Sequence, residues 1–350
     1  MVVVLGVSAG ASGARAILSH ADQPHQRPID QCVVARRPGA DVGEAVAVAI
    51  DAMRAAALER GELIAAVAIT HRSEIQADAI RAALRSDRTP TVLVKESAAQ
   101  LRYLRFTGRL PKFGTVVLYD LGSSGLTLTL ADCASGTALR TRRSTVLGGD
   151  EYDAQVHRKL VSAGVDVDLP TSRRYKETLS AERIVTVEDP TSSQRTVLTR
   201  SDLAQLQMAG VQHSASFIRH LIEETGETPE AVVLLGGCTN NPLIADRLEF
   251  TLNIPVIVES EPEEVSARGA VVLAGDRPTR VVRVARAIGA AAPEAKAASK
   301  RKLLSAFAVA VVLVATITGV MLTKQDSGSA EQLPAPAPME VAGVPTDPFE

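Results

Sequence analysis

The chain repeats one arrangement twice: an apolar strand, a short glycine turn and a second strand. The first turn, at residues 10–13, follows an apolar run over 1–7, and the second, at 122–125, follows an apolar run over 115–119. A third strand, a helix and further strand–helix pairs come after each turn. This duplicated order predicts an α/β fold of two βββαβα lobes around a shared cleft.

Hydrophobic periodicity predicts the individual elements within residues 1–276. Helical spacing predicts helices at 42–59, 73–84, 97–106, 150–162, 201–224, 241–250 and 263–274. Apolar or alternating runs predict strands at 1–7, 14–18, 30–36, 63–69, 91–94, 115–119, 126–130, 137–146, 182–188, 195–198, 231–235 and 255–258. The segment before residue 182 reads as a polar connection.

Three glycine turns are candidates for binding a phosphorylated ligand. Besides the two repeated turns, a third at 235–240 follows a buried strand and precedes a helix. Glycine turns expose backbone N–H groups that can hold phosphate oxygens, and a helix N-terminus favours anions. Two facing turns could therefore clamp the phosphates of a nucleotide, while the third approaches a planar ligand.

Other catalytic interpretations of this sequence have less support. Residues 6–10 fit the pattern of a serine-hydrolase nucleophile elbow around Ser8, but that elbow needs a following helix, and a strand is predicted at 14–18. The six histidines show no metal-binding spacing. Cys32, Cys133 and Cys238 lie far apart in the sequence and are expected to be buried free thiols.

Residues 303–323 form an uncharged apolar segment of 21 residues. As a helix it would be about 31 Å long, which matches the hydrocarbon core of a bilayer. Basic residues cluster before it, and Lys324 alone follows closely, so residues 1–302 are expected in the cytoplasm at the plasma membrane. Residues 277–302 are interpreted as a basic linker that serves as a topology signal or, alternatively, attracts anionic lipid. Residues 324–350 are interpreted as a disordered proline-rich tail outside the membrane.

Composition limits the partners. The net charge is −2, aromatic residues make up 3% and Trp is absent. These values give neither the basic face nor the stacking residues of a nucleic-acid-binding protein. A protein partner is expected, and its identity is left open.

The motifs of residues 1–276 resemble, in order, the nucleotide-binding domain of DnaK-type heat-shock chaperones, which belongs to the actin-like ATPase superfamily. The resemblance is carried by residues 6–12, 68–71, 95–99, 120–124, 147–153, 176–180, 235–242 and 263–270. It implies an actin-like ATPase fold and a ligand such as ATP or ADP with Mg²⁺. It implies nucleotide contacts from Gly10, Ala11, Ser12, Gly122, Ser123, Gly148, Gly149, Lys176, Ser180, Gly236, Gly237 and Glu263. Asp120, through Mg²⁺, and Glu96 would be the catalytic carboxylates of an active enzyme.

Several positions depart from the family pattern. Ser8 stands where the family has a carboxylate near the metal, and Gly125 and Thr127 stand where it has Thr and Asp. Glu177 and Asn240 replace the two arginines that sandwich adenine. The insertion that carries the catalytic Lys looks deleted, and no Lys precedes position 95.

Phosphoryl transfer depends on such preorganised charges, so the resemblance predicts weak or lost ATPase activity. The hypothesis favoured by these residues is a membrane-anchored module, without a substrate-binding domain, that acts by binding a partner. The alternative is a working chaperone-like ATPase that signals at the membrane. An actin-fold kinase or a filament-forming scaffold also stays open.

Overall fold

Two five-stranded sheets organise the computed structural model, which describes residues 2–85, 90–110, 112–192 and 194–276. The strands are β1 (Val3–Ala9), β2 (Gly13–His20), β3 (Asp30–Ala35), β4 (Ile64–His71), β5 (Thr91–Lys95), β6 (Thr115–Gly122), β7 (Gly125–Asp132), β8 (Thr137–Ser144), β9 (Ile184–Glu188), β10 (Arg195–Thr199), β11 (Ala231–Leu235) and β12 (Val256–Val258). The sheet of the first lobe has the order β3-β2-β1-β4-β5 and that of the second the order β8-β7-β6-β11-β12. Identical order confirms the predicted duplication.

Eight α-helices connect these strands in the described part of the chain. They are α1 (Val42–Glu59), α2 (Glu74–Ala83), α3 (Glu96–Phe106), α4 (Gly149–Ser162), α5 (Leu169–Ala181), α6 (Arg200–Thr225), α7 (Pro242–Leu252) and α8 (Val265–Gly275). Local capping explains several starts: Asp41 caps α1, Ser73 caps α2, and Thr199 forms a capping box with Asp202 at α6.

The helices cover both faces of each sheet. Helix α1 packs on one face of the first sheet, and α8 packs on the other. Helices α6 and α7 cover one face of the second sheet, and α3 with α8 cover its other face. A smaller apolar cluster joins α4, α5 and the β9–β10 hairpin beside α6. Helix α8 therefore belongs to the cores of both lobes.

Close backbone approach lets α8 occupy this central position. A Cβ atom on Gly269 of α8 would lie 1.9 Å from the carbonyl oxygen of Ala99 in α3, and one on Gly6 of β1 would lie 2.2 Å from that of Ala267. Such distances leave no room for a side chain. Glycine at both positions is therefore a packing requirement.

The two repeated turns share a backbone geometry. Gly13 has φ +148° and Gly125 has φ +146°, and each begins the second strand of its lobe. A Cβ atom at Gly13 would lie 2.0 Å from the carbonyl oxygen of Val34, and one at Gly125 would lie 2.4 Å from that of Ser144. Both glycines thus bring the turn against the third strand, which explains the same residue at the same place in the repeat.

Two elements differ from expectation. Residues 169–181, read as part of a polar connection, form α5, because Asp168 caps its first turn and Pro170 lies at its start. Its buried positions are few (Ser172, Lys176 and Leu179), so the apolar periodicity is weak. Strand β8 ends at Ser144 instead of residue 146, and Val146 is exposed.

The prediction of buried free thiols holds in full for one of the three cysteines. Cys32, Cys133 and Cys238 are free, but Cys133 alone is buried; the other two are half-buried.

Of the helices formed by the described residues, none has the length and apolar content to cross a bilayer. The predicted transmembrane segment 303–323, the linker 277–302 and the tail 324–350 lie outside the described residues.

We expect Gly269→Ala to lower the free energy of unfolding by about 1–3 kcal/mol, because the added methyl group overlaps the α3 backbone. Chemical denaturation followed by far-ultraviolet circular dichroism measures this change. Gly275→Ala, near the end of the same helix, is the control, since its Cβ would have its nearest neighbour at 3.2 Å. Equal stability of the two variants would contradict a tight α3–α8 crossing.

Candidate nucleotide-binding cleft

A cavity of about 670 Å³ lies between the two lobes, and all three glycine turns line it. The β1–β2 turn approaches from one lobe and the β6–β7 turn from the other. The third turn, which follows β11, also contributes to the wall. The turns therefore face one shared cleft, as their duplicated order predicted.

Most residues proposed from the sequence as ligand contacts line this cleft. They are Gly10, Ala11, Ser12, Glu96, Asp120, Gly122, Ser123, Gly149, Lys176, Ser180, Gly236, Gly237 and Glu263. Gly148 is the exception: a Cβ atom there would lie 2.6 Å from both Gly125 N and Ser123 O. Gly148 instead packs behind the second turn and allows α4 to begin close to it.

The third turn depends on Gly236. Its φ is +84°, and a Cβ atom there would lie 2.5 Å from the carbonyl oxygen of Leu121 and 2.6 Å from Oδ1 of Asp120. Its N–H donates to Pro262 O at 2.9 Å. A residue with a side chain would push this turn off the end of β6, so Gly236 keeps Asp120 and the third turn in contact.

Four polar side chains form a connected network at the cleft floor. Gln100 Nε2 donates to Asp120 Oδ2 at 2.7 Å and lies 3.0 Å from Ser266 Oγ. The Ser266 hydroxyl donates to Glu96 Oε1 at 3.3 Å. These residues come from α3, β6 and α8, so the second lobe and the central helices meet here.

A guanidinium group completes the floor. Arg72 lies just after β4 and lines the cleft, and its Nε is 3.2 Å from Glu96 Oε2. The side chains of Arg72 and Glu96 are 20% and 13% exposed. Ion pairs with so little exposure are less screened by solvent than surface pairs.

The two floor carboxyl groups are harder to ionise than isolated ones. Burial raises the pKa of Glu96 to about 7, and the charge of Asp120 adds to this shift, whereas Arg72 opposes it. Burial also raises the pKa of Asp120, against the effects of Arg72 and Gln100. Two nearby buried carboxyl groups disfavour holding both negative charges, so the protonated form of Glu96 is favoured.

The cleft wall beside the second turn carries a buried ion pair. Lys176 Nζ pairs with Asp153 and donates to Gly149 O at 3.2 Å, and both paired side chains are 11% exposed. Burial raises the pKa of Asp153, and Lys176 opposes the shift. Lys176 therefore anchors α5 to the start of α4, in addition to lining the cleft.

Amide and charged side chains surround this pair. Asn241 Nδ2 donates to Gln207 Oε1 at 2.5 Å, and both side chains are buried. Near them, Arg173 pairs with Glu177 at 2.8 Å, and Asn240 Nδ2 donates to Glu263 Oε2 at 3.1 Å. This part of the cleft wall is thus rich in donors and acceptors suited to a polar ligand.

Several residues that line the cleft were not predicted from the sequence. Arg72, Arg173 and Gln207 line the cavity, yet none lies in a glycine turn. Arg173 precedes Lys176 by three residues, which is a same-face spacing on a helix, so recognising α5 would have found it. The serine-hydrolase reading fails because Ser8 lies in β1 and the turn after it leads to a strand.

The cleft fits phosphates better than a dedicated metal site. Asp120 and Glu96 are the floor carboxylates, and in the described part of the chain no three His, Cys, Asp or Glu side chains are grouped to hold a metal ion. Mg²⁺ commonly binds through one or two carboxylates together with substrate phosphates. Asp120 is the carboxylate that would hold Mg²⁺ when an ion accompanies the phosphates.

A family model described as Hsp70 protein matches residues 97–282. The chain belongs to the Hsp70 family. The match covers all of the second lobe and α3, whereas β1–β5 precede it. With the paired sheets and the shared cleft, the fold is that of an actin-like ATPase, and domains of this family bind ATP or ADP with Mg²⁺.

Chaperone protein HscA homologs from bacteria are similar to this Hsp70-family chain. That of Shewanella baltica (strain OS195) is 28% identical over 187 residues, covering 47% of this chain and 30% of the relative. That of Shewanella sediminis (strain HAW-EB3) is 27% identical over 219 residues, covering 56% and 35%. The matched region thus spans about a third of these relatives.

We expect Lys176→Met to lower the free energy of unfolding by about 3–5 kcal/mol near pH 7.5, because it leaves the carboxylate of Asp153 buried and unpaired. The loss should be smaller at pH 5. With its folded-state pKa raised further, Asp153 keeps its proton in the folded state, so stability falls as pH rises through this range.

Urea denaturation at the two pH values tests this expectation. Lys159→Met is the matched control, because Lys159 pairs with Asp202 at 3.0 Å and is 37% exposed. Its loss should be at most about 1 kcal/mol at either pH. A loss for Lys176→Met that is equally small, or the same at both pH values, would contradict a buried pair.

Proposed function

We propose that this Hsp70-family chain is a membrane-anchored nucleotide-binding module that acts by binding a protein partner and hydrolyses ATP slowly or not at all. The observation that supports it is the convergence of three glycine turns, from both lobes, on one cleft of about 670 Å³. The cleft is large enough for a nucleotide and offers backbone donors at several points along its length.

Slow turnover follows from the charges at the cleft floor. Glu96 is engaged by Arg72 and Ser266, and Asp120 accepts a hydrogen bond from Gln100. Among the described residues that line the cleft, Lys176 is the only lysine, and its ammonium group is paired with Asp153. Removing one preorganised electrostatic group typically lowers a rate about 10²–10³-fold.

The lobe arrangement supports signalling by nucleotide occupancy. Helix α8 contributes to the cores of both lobes, and Ser266 on it contacts the floor network. A ligand that binds turns from both lobes favours whichever lobe angle brings those turns together. A partner that recognises this angle would sense whether nucleotide is bound.

Membrane anchoring is the second part of the proposal. Residues 303–323 carry no charge, and basic residues precede them. Their length and flanking charges support a position of residues 1–302 on the cytoplasmic side of the plasma membrane. A partner at that membrane would meet the module without diffusing through the whole cell volume.

We expect the purified full-length protein to bind ATP and ADP in calorimetric titrations, with phosphate release no faster than that of its Asp120→Ala variant. Nucleotide binding tests whether the cleft is the ligand site. The comparison of the two phosphate-release rates tests whether ATP hydrolysis is slow or absent. Steady ATP hydrolysis that Asp120→Ala abolishes would instead favour a working chaperone-like ATPase. The absence of any nucleotide binding would refute the nucleotide part of the proposal.

For the anchor, we expect the full-length protein to stay with the membrane fraction after alkaline carbonate extraction. The double change Leu313→Arg and Val314→Arg should release it, because each Arg at the centre of a membrane helix costs about 2.5–3.5 kcal/mol. Val312→Ile is the control and should leave fractionation unchanged. Carbonate-extractable wild-type protein would contradict membrane insertion.

A further inference from the structure

One guanidinium group lies at the cleft floor, and a second lies behind the neighbouring glycine turn. Arg72 contacts Glu96, and Arg143 of β8 lies beside the second glycine turn. Both arginines influence the pKa values of Glu96 and Asp120, so the four side chains form one electrostatic cluster. Two of the four groups are the carboxyl groups of Glu96 and Asp120. The other two are guanidinium groups that were not predicted from the sequence as site residues.

Arg72 is positioned from its own backbone. Its N–H donates to Gln76 Oε1 at 2.7 Å, and the amide of Gln76 donates to Ala9 O at 2.9 Å, next to the first glycine turn. A guanidinium group has five N–H donors, and the contact with Glu96 engages Nε. Arg72 therefore has the donor geometry to bind a phosphate oxygen while it stays near Glu96.

Arg143 is held against the second turn. It donates to Thr127 Oγ1 at 3.0 Å, to Ser124 O at 3.1 Å and to Ser124 Oγ at 2.8 Å. Burial lowers the pKa of Arg143, and the positive charge of Arg72 lowers it further. The two guanidiniums thus disfavour each other, and an anion arriving between the turns would relieve that repulsion.

We propose that Arg72, supported by Arg143, neutralises the terminal phosphate of a triphosphate ligand at the cleft floor, so that the phosphates bind without requiring a divalent metal ion. This inference rests on the proposed nucleotide binding and specifies the chemistry of its phosphate end. It assigns Arg72 as a ligand-binding residue and Arg143 as a positioning residue behind the second turn.

A proton takes part in this binding. The groups that face Glu96 are Arg72 after β4, Asp120 on β6, Arg143 on β8, and Gln100 and Ser266 on the central helices. An incoming phosphate adds negative charge next to Glu96, whose pKa is already about 7. Glu96 is therefore expected to take up a proton on binding when the pH is above 7, and to hold one already below it.

The test is calorimetric titration of the full-length protein with sodium tripolyphosphate and with ATP, each in EDTA and in MgCl₂. We expect both ligands to bind in EDTA. Arg72→Gln should weaken tripolyphosphate binding at least about tenfold, and Arg72→Lys should restore part of it. Arg195→Gln is the matched control, because Arg195 pairs with Glu188 on the exposed hairpin; it should bind as the wild type does.

The pH dependence gives an independent readout. Glu96→Gln, a neutral mimic of the protonated side chain, should bind tripolyphosphate more tightly than the wild type at pH 8. That advantage should shrink toward pH 6, where Glu96 of the wild type is already protonated. The titration of tripolyphosphate itself is common to both proteins and cancels in the comparison. Circular dichroism confirms that each variant is folded.

The outcomes separate this inference from the proposed function. ATP binding that needs MgCl₂, or unchanged binding by folded Arg72→Gln, would overturn the inference and leave nucleotide binding in place. Tripolyphosphate binding without ATP binding would support the inference and refute the nucleotide as ligand. If neither ligand binds with or without Mg²⁺, both ideas fail.

Discussion

The crossing of α3 and α8 is the contact on which the arrangement of the two lobes depends. Helix α8 packs against both sheets, and at Gly269 its backbone approaches Ala99 so closely that no side chain fits. In each lobe the glycine turn joins the first two strands of the sheet, so the orientation of the sheet sets the position of the turn. The turns meet across one cleft because the shared helices hold the two sheets in a defined relation, so the packing of small residues decides the geometry of a distant polar site.

This Hsp70-family chain has the architecture of a nucleotide cleft, with Asp120 and Glu96 at its floor. Glu96 is paired with Arg72, and a second guanidinium lies behind the neighbouring turn. Backbone turns bind phosphate oxygens whatever the side chains nearby, whereas phosphoryl transfer needs charges placed for the transition state. Ligand binding and catalysis can therefore separate during divergence, and the proposed slow turnover of this chain would be a case of such separation.

Predictions from the sequence succeeded where local patterns were strong. Helix α1 has the predicted bounds of 42–59, and Ser73 caps α2 as expected. Hydrophobic periodicity did not predict α5, because this helix buries few apolar residues. The family resemblance implied a helix at 176–180, and Asp168 and Pro170 marked its earlier start. Gly148 was assigned to the ligand, but it packs against the second turn instead. A glycine motif indicates that another group comes close to the backbone. It does not indicate whether that group belongs to a ligand or to the protein itself.

The amino-acid sequence by itself determined the elements, their duplicated order and the glycine turns, because strand and helix periods and turn chemistry are local properties. Only the tertiary structure decided which charges meet at the cleft floor. Arg72, Glu96 and Arg143 follow or belong to three different elements, and the sheets and α3 bring them together. Electrostatic coupling depends on distance and burial in three dimensions, so no spacing in the sequence could have predicted that these side chains form one electrostatic cluster.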